Sequence, residues 1–313
     1  MTLLSKVQIE QFHEKGFVVI KRALSKDEVV QARSAYSELR QKVIQGKHKY
    51  GRTHHDYAFG LIIGIEQLFS KTSFSPTILK VLQSSKVLPY AKEILKVENP
   101  ILALHRLICT YNKGFSGAWH RDGPVNKLPH MQAALLFYPE SGFKVIPGSH
   151  CLSDKELGFD WKEQYPCEKK IDDEIEVCAQ AGDLVLFHSS ILHRGTCVGR
   201  NKYQRAQIHL RILDPVFANE ILCQKLINPD AEKIEQYASS DWKAMLFNTI
   251  QLKKLGRQQS TVPKLTPLRQ LKKIKSECAY YLCKFNITKN FFRKTYKSCQ
   301  FIEKKKEHEH LYK

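Results

Sequence analysis

Residues 119–124 read Trp-His-Arg-Asp-Gly-Pro, and the rest of the chain can be interpreted around them. Side chains alternate faces along an extended segment, so His120 and Asp122 should project to the same side. One imidazole and one carboxylate would then lie next to each other. A second His from elsewhere would complete a set of two His and one carboxylate, which is typical of non-haem Fe(II) sites with open positions. The i, i+2 spacing alone is a weak signal, so other segments must supply the third ligand.

Two His qualify as that third ligand. His188 and His193 both follow the turn at Gly182-Asp183, in a region distant from His120 along the chain. Strand alternation groups His188 with Leu184 and Leu186, whereas His193 comes where the chain should begin its return. The residues themselves leave both candidates open.

The segment 203–213 predicts a strand with two unlike faces. Ala206, Ile208, Leu210 and Ile212 share one face, and the other carries Arg205, Gln207, His209 and Arg211. A basic face on an interior strand needs an anionic partner, because burying an unpaired guanidinium is costly. A dicarboxylate bound to the metal would meet this need, since Arg binds carboxylates through two parallel hydrogen bonds.

A second His-x-Asp pair, His54 and Asp56, competes with the first. It lies in the polar stretch 48–60, which lacks the alternation of a strand and therefore predicts a loop. A surface loop, or a loop that contacts substrate, is the preferred interpretation of this pair.

The pattern of elements favours a mainly β fold with flanking helices. Helices are expected over 5–15, 25–46 and 75–97, the last split by Pro89, and a strand over 17–20. Further short strands separated by turns follow, at 101–111, 131–139, 184–188 and 203–213. Several short strands with helices gathered N-terminally predict a β-sandwich or barrel with a helical flank. The strand-rich domain is assigned to residues 1–215, and 216–313 to a helical, Lys-rich extension.

Charge is distributed unevenly along the 313 residues. The net charge is +19, and residues 251–313 hold 17 Lys and Arg against 4 Glu, which gives 17 − 4 = +13. Such a tail predicts an anionic partner: a membrane surface, an anionic glycan or, as the weaker expectation, a nucleic acid. The nine Cys are scattered without a C-x-x-C pair, and no signal-peptide pattern is visible, which predicts a reduced, cytoplasmic protein. The basic tail adds the expectation of peripheral contact with a membrane surface.

The ordered set of motifs resembles the phytanoyl-CoA dioxygenase family over roughly residues 5–215. That set is His120-x-Asp122, Pro147-Gly148-Ser149-His150, Gly182-Asp183 with His188, then His193 and Arg205. The resemblance implies a double-stranded β-helix (jelly-roll, cupin-like) core. It implies that His120, Asp122 and His193 bind Fe(II), and that Arg205 binds the distal carboxylate of 2-oxoglutarate. Thr110 and Gln132 are further candidates for contact with this cosubstrate.

The implied reaction is hydroxylation of a C–H bond in a small-molecule or lipid-linked substrate. It would use Fe(II), 2-oxoglutarate and O2, release succinate and CO2, and could be stimulated by ascorbate. Asp122 favours hydroxylation, since halogenating relatives carry a small residue there. Two alternatives remain: a nucleic-acid oxidative demethylase, suggested by Arg205 and Arg211 six residues apart, and a non-catalytic binding member of the fold.

Overall fold

The structure is a computed structural model that describes most of the first 259 residues. Some strand and helix residues, Thr110 and Arg205 among them, are described by their backbone alone. The described residues are 3–47, 51–56, 60–112, 119–123, 125, 127–128, 130–140, 142–158, 171–195, 203–217 and 229–259.

A seven-stranded antiparallel sheet forms the larger half of the fold. Its strand order is β1-β8-β5-β10-β4-β3-β2, so β10 lies between β5 and β4 near the centre. Its strands are β1 (Phe17–Ile20), β2 (Gly51–Asp56), β3 (Gly60–Glu66), β4 (Ile101–Asn112), β5 (His130–Leu136), β8 (Leu184–His188) and β10 (Tyr203–Leu213).

A smaller sheet faces it, in the order β7-β6-β9, with β6 (Phe143–Val145), β7 (Ile175–Glu176) and β9 (His193–Gly195). His120 extends this sheet through an antiparallel bridge to His193. Two antiparallel sheets built by strands that alternate between them form the expected double-stranded β-helix. The strand-rich prediction with a helical flank is confirmed.

Strand alternation divides the core into two apolar layers. The inner layer packs between the sheets and includes Ala134, Leu136, Phe143, Val185 and Phe187. The outer layer joins the opposite face of the large sheet to the helices. The apolar face predicted for β10 lies in this outer layer, because Ala206, Ile208, Leu210 and Ile212 are all buried there.

The helices cover that outer face. Ser5 and Ser25 form the predicted capping boxes, and the helix over 75–97 is divided, but at Ser85-Lys86 and not at Pro89. Pro89 lies in the first turn of the second half, where a helix needs no N–H donor. The helices are α1 (Lys6–Lys15), α2 (Lys26–Ile44), α3 (Pro76–Ser84), α4 (Val87–Leu95), α5 (Ala231–Tyr237) and α6 (Ser240–Gln259).

The expectation of a loop around His54 and Asp56 is wrong. Residues 51–56 form β2, which pairs with β3 and extends the large sheet beyond β4. The sequence lacked a visible alternation here because the stretch is almost entirely polar. A partner strand can supply the backbone hydrogen bonds of such a segment regardless of its side-chain pattern.

Helix α5 and most of α6 belong to the same compact unit as the sheets. That unit comprises 1–218 and 222–254. Ile234, Trp242, Met245 and Leu246 are buried in the outer apolar layer, although the sequence assigned everything after residue 215 to an extension. The chain after Lys254 falls in a second unit, of which only 255–259 are described.

The described helices include none that is both long and apolar enough to cross a bilayer. Of the basic tail, residues 260–313 lie outside the described residues. Its membrane, glycan and nucleic-acid contacts therefore stay predictions.

Thr249 offers a test of how firmly α6 is bound to the sheet. Its buried hydroxyl accepts a hydrogen bond from the backbone N–H of Leu102 in β4 (3.0 Å) and donates one to the Met245 carbonyl (2.7 Å). Thr249→Val leaves that N–H buried without an acceptor, so we expect the free energy of unfolding to fall by about 1–3 kcal/mol. Urea denaturation would measure it. Thr249→Ser keeps the hydroxyl and should lose less, and a Val variant as stable as the Ser variant would contradict the assignment.

Candidate metal centre

Three side chains from distant parts of the chain meet at one end of the inner layer. His120, Asp122 and His193 each offer one ligand atom, and these atoms lie within 4.8 Å of one another. His193 is buried, and the other two side chains are partly exposed. Within the described residues this is the group with the composition and spacing of a metal site. The structure thus brings together the three residues that the resemblance selected.

Backbone pairing sets this arrangement. His120 and His193 exchange two N–H···O=C hydrogen bonds of 3.0 Å, which places their ring centroids 4.2 Å apart. The Asp122 N–H donates to the Ser189 carbonyl (2.8 Å), so the chain after His120 stays against the turn before β9. Gly123 permits this approach, because a Cβ there would lie 2.4 Å from the Ser189 hydroxyl oxygen.

The tautomer of His193 fits a bound cation. Its Nδ1 lies 2.9 Å from the Ile191 carbonyl oxygen, which can only accept, so Nδ1 carries a proton. In the neutral ring Nε2 then has a lone pair, and it lies 3.5 Å from Asp122 Oδ2. A lone pair facing a carboxylate is repulsive, so this contact requires either a proton on Nε2 or a cation between the two atoms. A divalent metal ion satisfies this requirement, and the backbone carbonyl that fixes the ring is a common partner of metal-binding His.

Each carboxylate oxygen of Asp122 has a polar partner in the large sheet. Arg211 Nη2 lies 3.1 Å from Oδ1, and the amide Nε2 of Gln132 donates to Oδ2 at 2.6 Å. Burial opposes ionisation of this carboxyl, but the Arg211 guanidinium, the two imidazoles when they carry a proton, and the Gln132 hydrogen bond outweigh burial and hold the pKa of Asp122 well below its usual value. The carboxylate is therefore ionised at neutral pH, as a metal ligand must be.

Arg121, between the two candidate ligands, points away from the site. Its guanidinium is buried, forms an ion pair with Asp154 (2.9 Å) and donates to the carbonyls of Ser149, Leu152 and Ser190. This confirms the alternation expected along 119–124. Arg121 also joins the Pro147–His150 turn to the loop that leads into β9, which gives this motif a structural role.

The His188 side chain lies on the outer face of the large sheet, away from His193. Its Nδ1 accepts from the Ser190 N–H (3.0 Å), and its ring packs against His150 and Phe12, with centroids 4.7 Å and 6.3 Å away. The next residue back, Phe187, faces the inner layer and contacts the His193 ring, with centroids 5.4 Å apart. His188 therefore serves packing in this structure, and His193 stays the preferred third ligand.

The remaining predicted site residues lie on neighbouring strands. Arg205 in β10 is paired in register with Thr110 in β4, but both side chains lie outside the described residues. Gln132 is buried with its amide bonded to Asp122 and to His209, which favours a supporting role over contact with a cosubstrate. Their binding of 2-oxoglutarate remains a proposal.

Sequence reasoning missed two contacts of the site. It did not pair Arg211 with Asp122, and it did not connect His209 to Gln132. The signal was partly present, because Arg211 and His209 share the polar face of β10. Which strand lies beside β10, and in which register, is decided only by the sheet.

The burial of His188 predicts how the free energy of unfolding changes with pH. Burial first, and then the nearby His150, His13 and Arg121, lower the pKa of His188 to about 3. The unfolded chain binds a proton near pH 6.5 and the folded chain does not, so stability falls as pH falls below 6.5. We expect His188 to account for a loss of about 2 kcal/mol in the free energy of unfolding between pH 7 and pH 5.

The measurement compares wild type with His188→Phe by urea denaturation at both pH values. The variant lacks the acceptor for the Ser190 N–H and should be less stable at pH 7, but its stability should fall less on acidification. An identical loss in both proteins would show that His188 is protonated in the folded state or does not titrate between the two states.

Comparison with known proteins identifies similar folds and a matching family. The fold resembles that of AviO1 from Streptomyces viridochromogenes Tue57 (18% identity, TM-score 0.52), covering 69% of this chain and 97% of AviO1. SnoK, a non-haem α-ketoglutarate-dependent carbocyclase of nogalamycin biosynthesis, is similar at 18% identity and TM-score 0.50, covering 68% of this chain and 85% of SnoK. HygX from Streptomyces hygroscopicus, solved with nickel, 2-oxoglutarate and hygromycin B, is similar at 15% identity and TM-score 0.51, covering 69% of this chain and 89% of HygX.

A search of curated proteins finds no significant match. The family profile described as phytanoyl-CoA dioxygenase (PhyH) matches residues 12–198, which include His120, Asp122, His193 and the strands that position them. The chain belongs to the phytanoyl-CoA dioxygenase family.

Proposed function

We propose that this protein is an Fe(II)- and 2-oxoglutarate-dependent oxygenase that oxidises a C–H bond of a small-molecule or lipid-linked substrate. The observation that carries the proposal is the meeting of His120, Asp122 and His193 within ligand distance, on the fold that the family shares. Two neutral imidazoles and one carboxylate on one side of an ion leave the opposite positions open, which suits non-haem Fe(II).

In this proposal the chain's residues bind and orient the reactants. His120, Asp122 and His193 bind Fe(II), and Arg205 receives the distal carboxylate of 2-oxoglutarate, as a guanidinium is suited to do. When bound, Fe(II) with 2-oxoglutarate and O2 supplies the oxidising chemistry and yields succinate and CO2. Phe143 and Phe187 contact the His193 ring edge-on and keep water from its inner side.

The structurally similar proteins support this assignment without identifying the substrate. HygX is described with 2-oxoglutarate and hygromycin B, and SnoK as a carbocyclase dependent on α-ketoglutarate. Small molecules are therefore substrates compatible with this fold. Asp122 favours hydroxylation over halogenation, and the mass of the product would distinguish hydroxylation (gain of one oxygen) from ring closure or desaturation (loss of two hydrogens).

Removal of the carboxylate ligand tests the proposal directly. Purified protein with Fe(II), 2-oxoglutarate, O2 and ascorbate should release succinate, and Asp122→Ala should abolish both this release and the tight binding of Mn(II) used as a redox-stable probe. Asp172→Ala, which removes an exposed carboxylate, is the matched control and should behave as wild type. Because O2 consumption in such enzymes can depend on the substrate, Mn(II) binding decides the metal site even where succinate is not formed.

A second experiment tests the cosubstrate. Calorimetry on the Mn(II)-loaded protein should detect 2-oxoglutarate binding, and Arg205→Leu should weaken it more than Arg205→Lys, because Lys keeps the charge but not the planar pair of donors. We expect a loss of about 10- to 100-fold for Leu, which corresponds to the 1.5–3 kcal/mol of a charged hydrogen bond. A metal-loaded wild type that fails to bind 2-oxoglutarate would instead support the non-catalytic alternative.

The nucleic-acid alternative rests on the spacing of Arg205 and Arg211 and on the basic tail. A gel shift at low salt with single- and double-stranded DNA and RNA would detect the binding that this alternative requires.

A further inference from the structure

A line of hydrogen bonds leads from β4, inside the large sheet, to Asp122. Arg106 in β4 lies beside His209 in β10, with its Nε and Nη2 atoms 3.3 Å and 3.1 Å from His209 Nδ1. His209 Nε2 lies 2.6 Å from the Gln132 amide oxygen. The Gln132 amide nitrogen in turn donates to Asp122 Oδ2 at 2.6 Å. We call Arg106, His209 and Gln132 the relay.

The chemistry of Arg106 fixes the direction of every bond in the relay. A guanidinium has donors and no acceptor, so His209 Nδ1 must accept and cannot carry a proton. The remaining ring proton is then on Nε2, which donates to the Gln132 oxygen. With its oxygen engaged in this way, the Gln132 amide can turn only its nitrogen toward Asp122. The opposite orientation would place the amide oxygen against a carboxylate.

The surroundings of His209 keep the ring neutral and in place. Burial, followed by Arg106 and Arg211, holds the pKa of His209 well below its usual value. The ring is stacked on Phe187, with centroids 6.1 Å apart and planes at 18°. Phe187 also contacts His193, so the same aromatic side chain lies against the relay and against a proposed metal ligand.

Asp122 thus receives a different donor on each oxygen, Arg211 on Oδ1 and Gln132 on Oδ2. Two directed bonds from opposite sides prevent the carboxylate from rotating about its Cβ–Cγ bond. These bonds also occupy lone pairs on both oxygens, which disfavours bidentate binding of one metal ion by the carboxylate. Positions needed by a cosubstrate and O2 would then stay open.

We propose that His209 is a positioning residue of the metal centre, which acts through Gln132 to hold Asp122 as a ligand through a single oxygen. This inference rests on the metal site of the proposed function. It assigns a role to the polar face of β10 beyond cosubstrate binding. It also explains why an amide and an imidazole are buried between the sheets, where polar groups without partners would be costly.

The experiment measures the dissociation constant of Mn(II) from its free-ion EPR signal, in the absence of 2-oxoglutarate. Gln132→Leu and His209→Phe each break the relay and should weaken Mn(II) binding roughly 10- to 100-fold, as is usual for groups that orient metal ligands. His209→Gln retains a donor near the position of Nε2 and should bind Mn(II) more tightly than His209→Phe. The line shape of the bound Mn(II) should change in the two variants that break the relay.

His188→Phe is the matched control. It is the same substitution of a buried His in the same sheet, but on the face away from the metal centre. A general loss of stability would affect both Phe variants, so thermal unfolding is followed for each. We expect a much larger loss of Mn(II) affinity in His209→Phe than in His188→Phe, and equal losses in the two variants would overturn the positioning role.

The double variant Gln132→Leu/His209→Phe tests the connection between the two residues. If His209 acts only through Gln132, the double variant should bind Mn(II) as weakly as Gln132→Leu alone, because the residue through which His209 acts is already absent. The relay would be overturned if the fold-losses of Mn(II) affinity in the two single variants multiplied in the double variant. Wild-type affinity in His209→Phe would also overturn it. If His209→Phe does not fold, Gln132→Leu with wild-type affinity overturns it.

The outcomes separate this inference from the function on which it rests. A wild-type protein that binds no Mn(II) overturns both. A wild-type protein that binds Mn(II) and loses it in Asp122→Ala, while the relay variants keep wild-type affinity and line shape, overturns the positioning role alone.

Discussion

The pair of backbone hydrogen bonds between His120 and His193 is the interaction on which the site depends. It joins two segments that lie 73 residues apart and adds His120 to the edge of the small sheet. The side chains of a directly opposed antiparallel pair lie on the same face, so the two imidazoles are neighbours once this bridge forms. Asp122 follows two residues later on the same side. The ligand set is therefore a consequence of strand pairing.

The charge of Asp122 is the second constraint. A carboxylate in the inner layer needs compensation, and the large sheet provides it from two neighbouring strands through Arg211 and Gln132. Because the Arg211 guanidinium and the Gln132 amide are placed by backbone register, the carboxylate is oriented before any metal ion binds. Preorganisation of this kind reduces the cost of ordering a ligand at the moment of binding.

Local signals in the sequence predicted much of the fold. The capping boxes at Ser5 and Ser25 and the alternation along 203–213 correspond to the observed elements. The prediction failed at 51–56, where polar residues form a strand because a neighbour pairs with them. It also placed the helix break at Pro89, although a proline in a first turn is tolerated. The first failure arose because a partner strand determined the structure of the segment. The second arose because the effect of a proline depends on its position within the helix.

The sequence alone determined which residues could bind a metal, and the order of the motifs identified the family before any geometry was known. It could not choose between His188 and His193 from periodicity, because alternation groups residues into faces without saying which face is interior. The tertiary structure favours His193, because helices cover the face of Leu184, Leu186 and His188 while Phe187 and His193 contact each other on the inner side. The same limit hid the partners of Gln132, His209 and Arg211, since contacts across strands depend on which strands become neighbours, and only the folded sheet determines that.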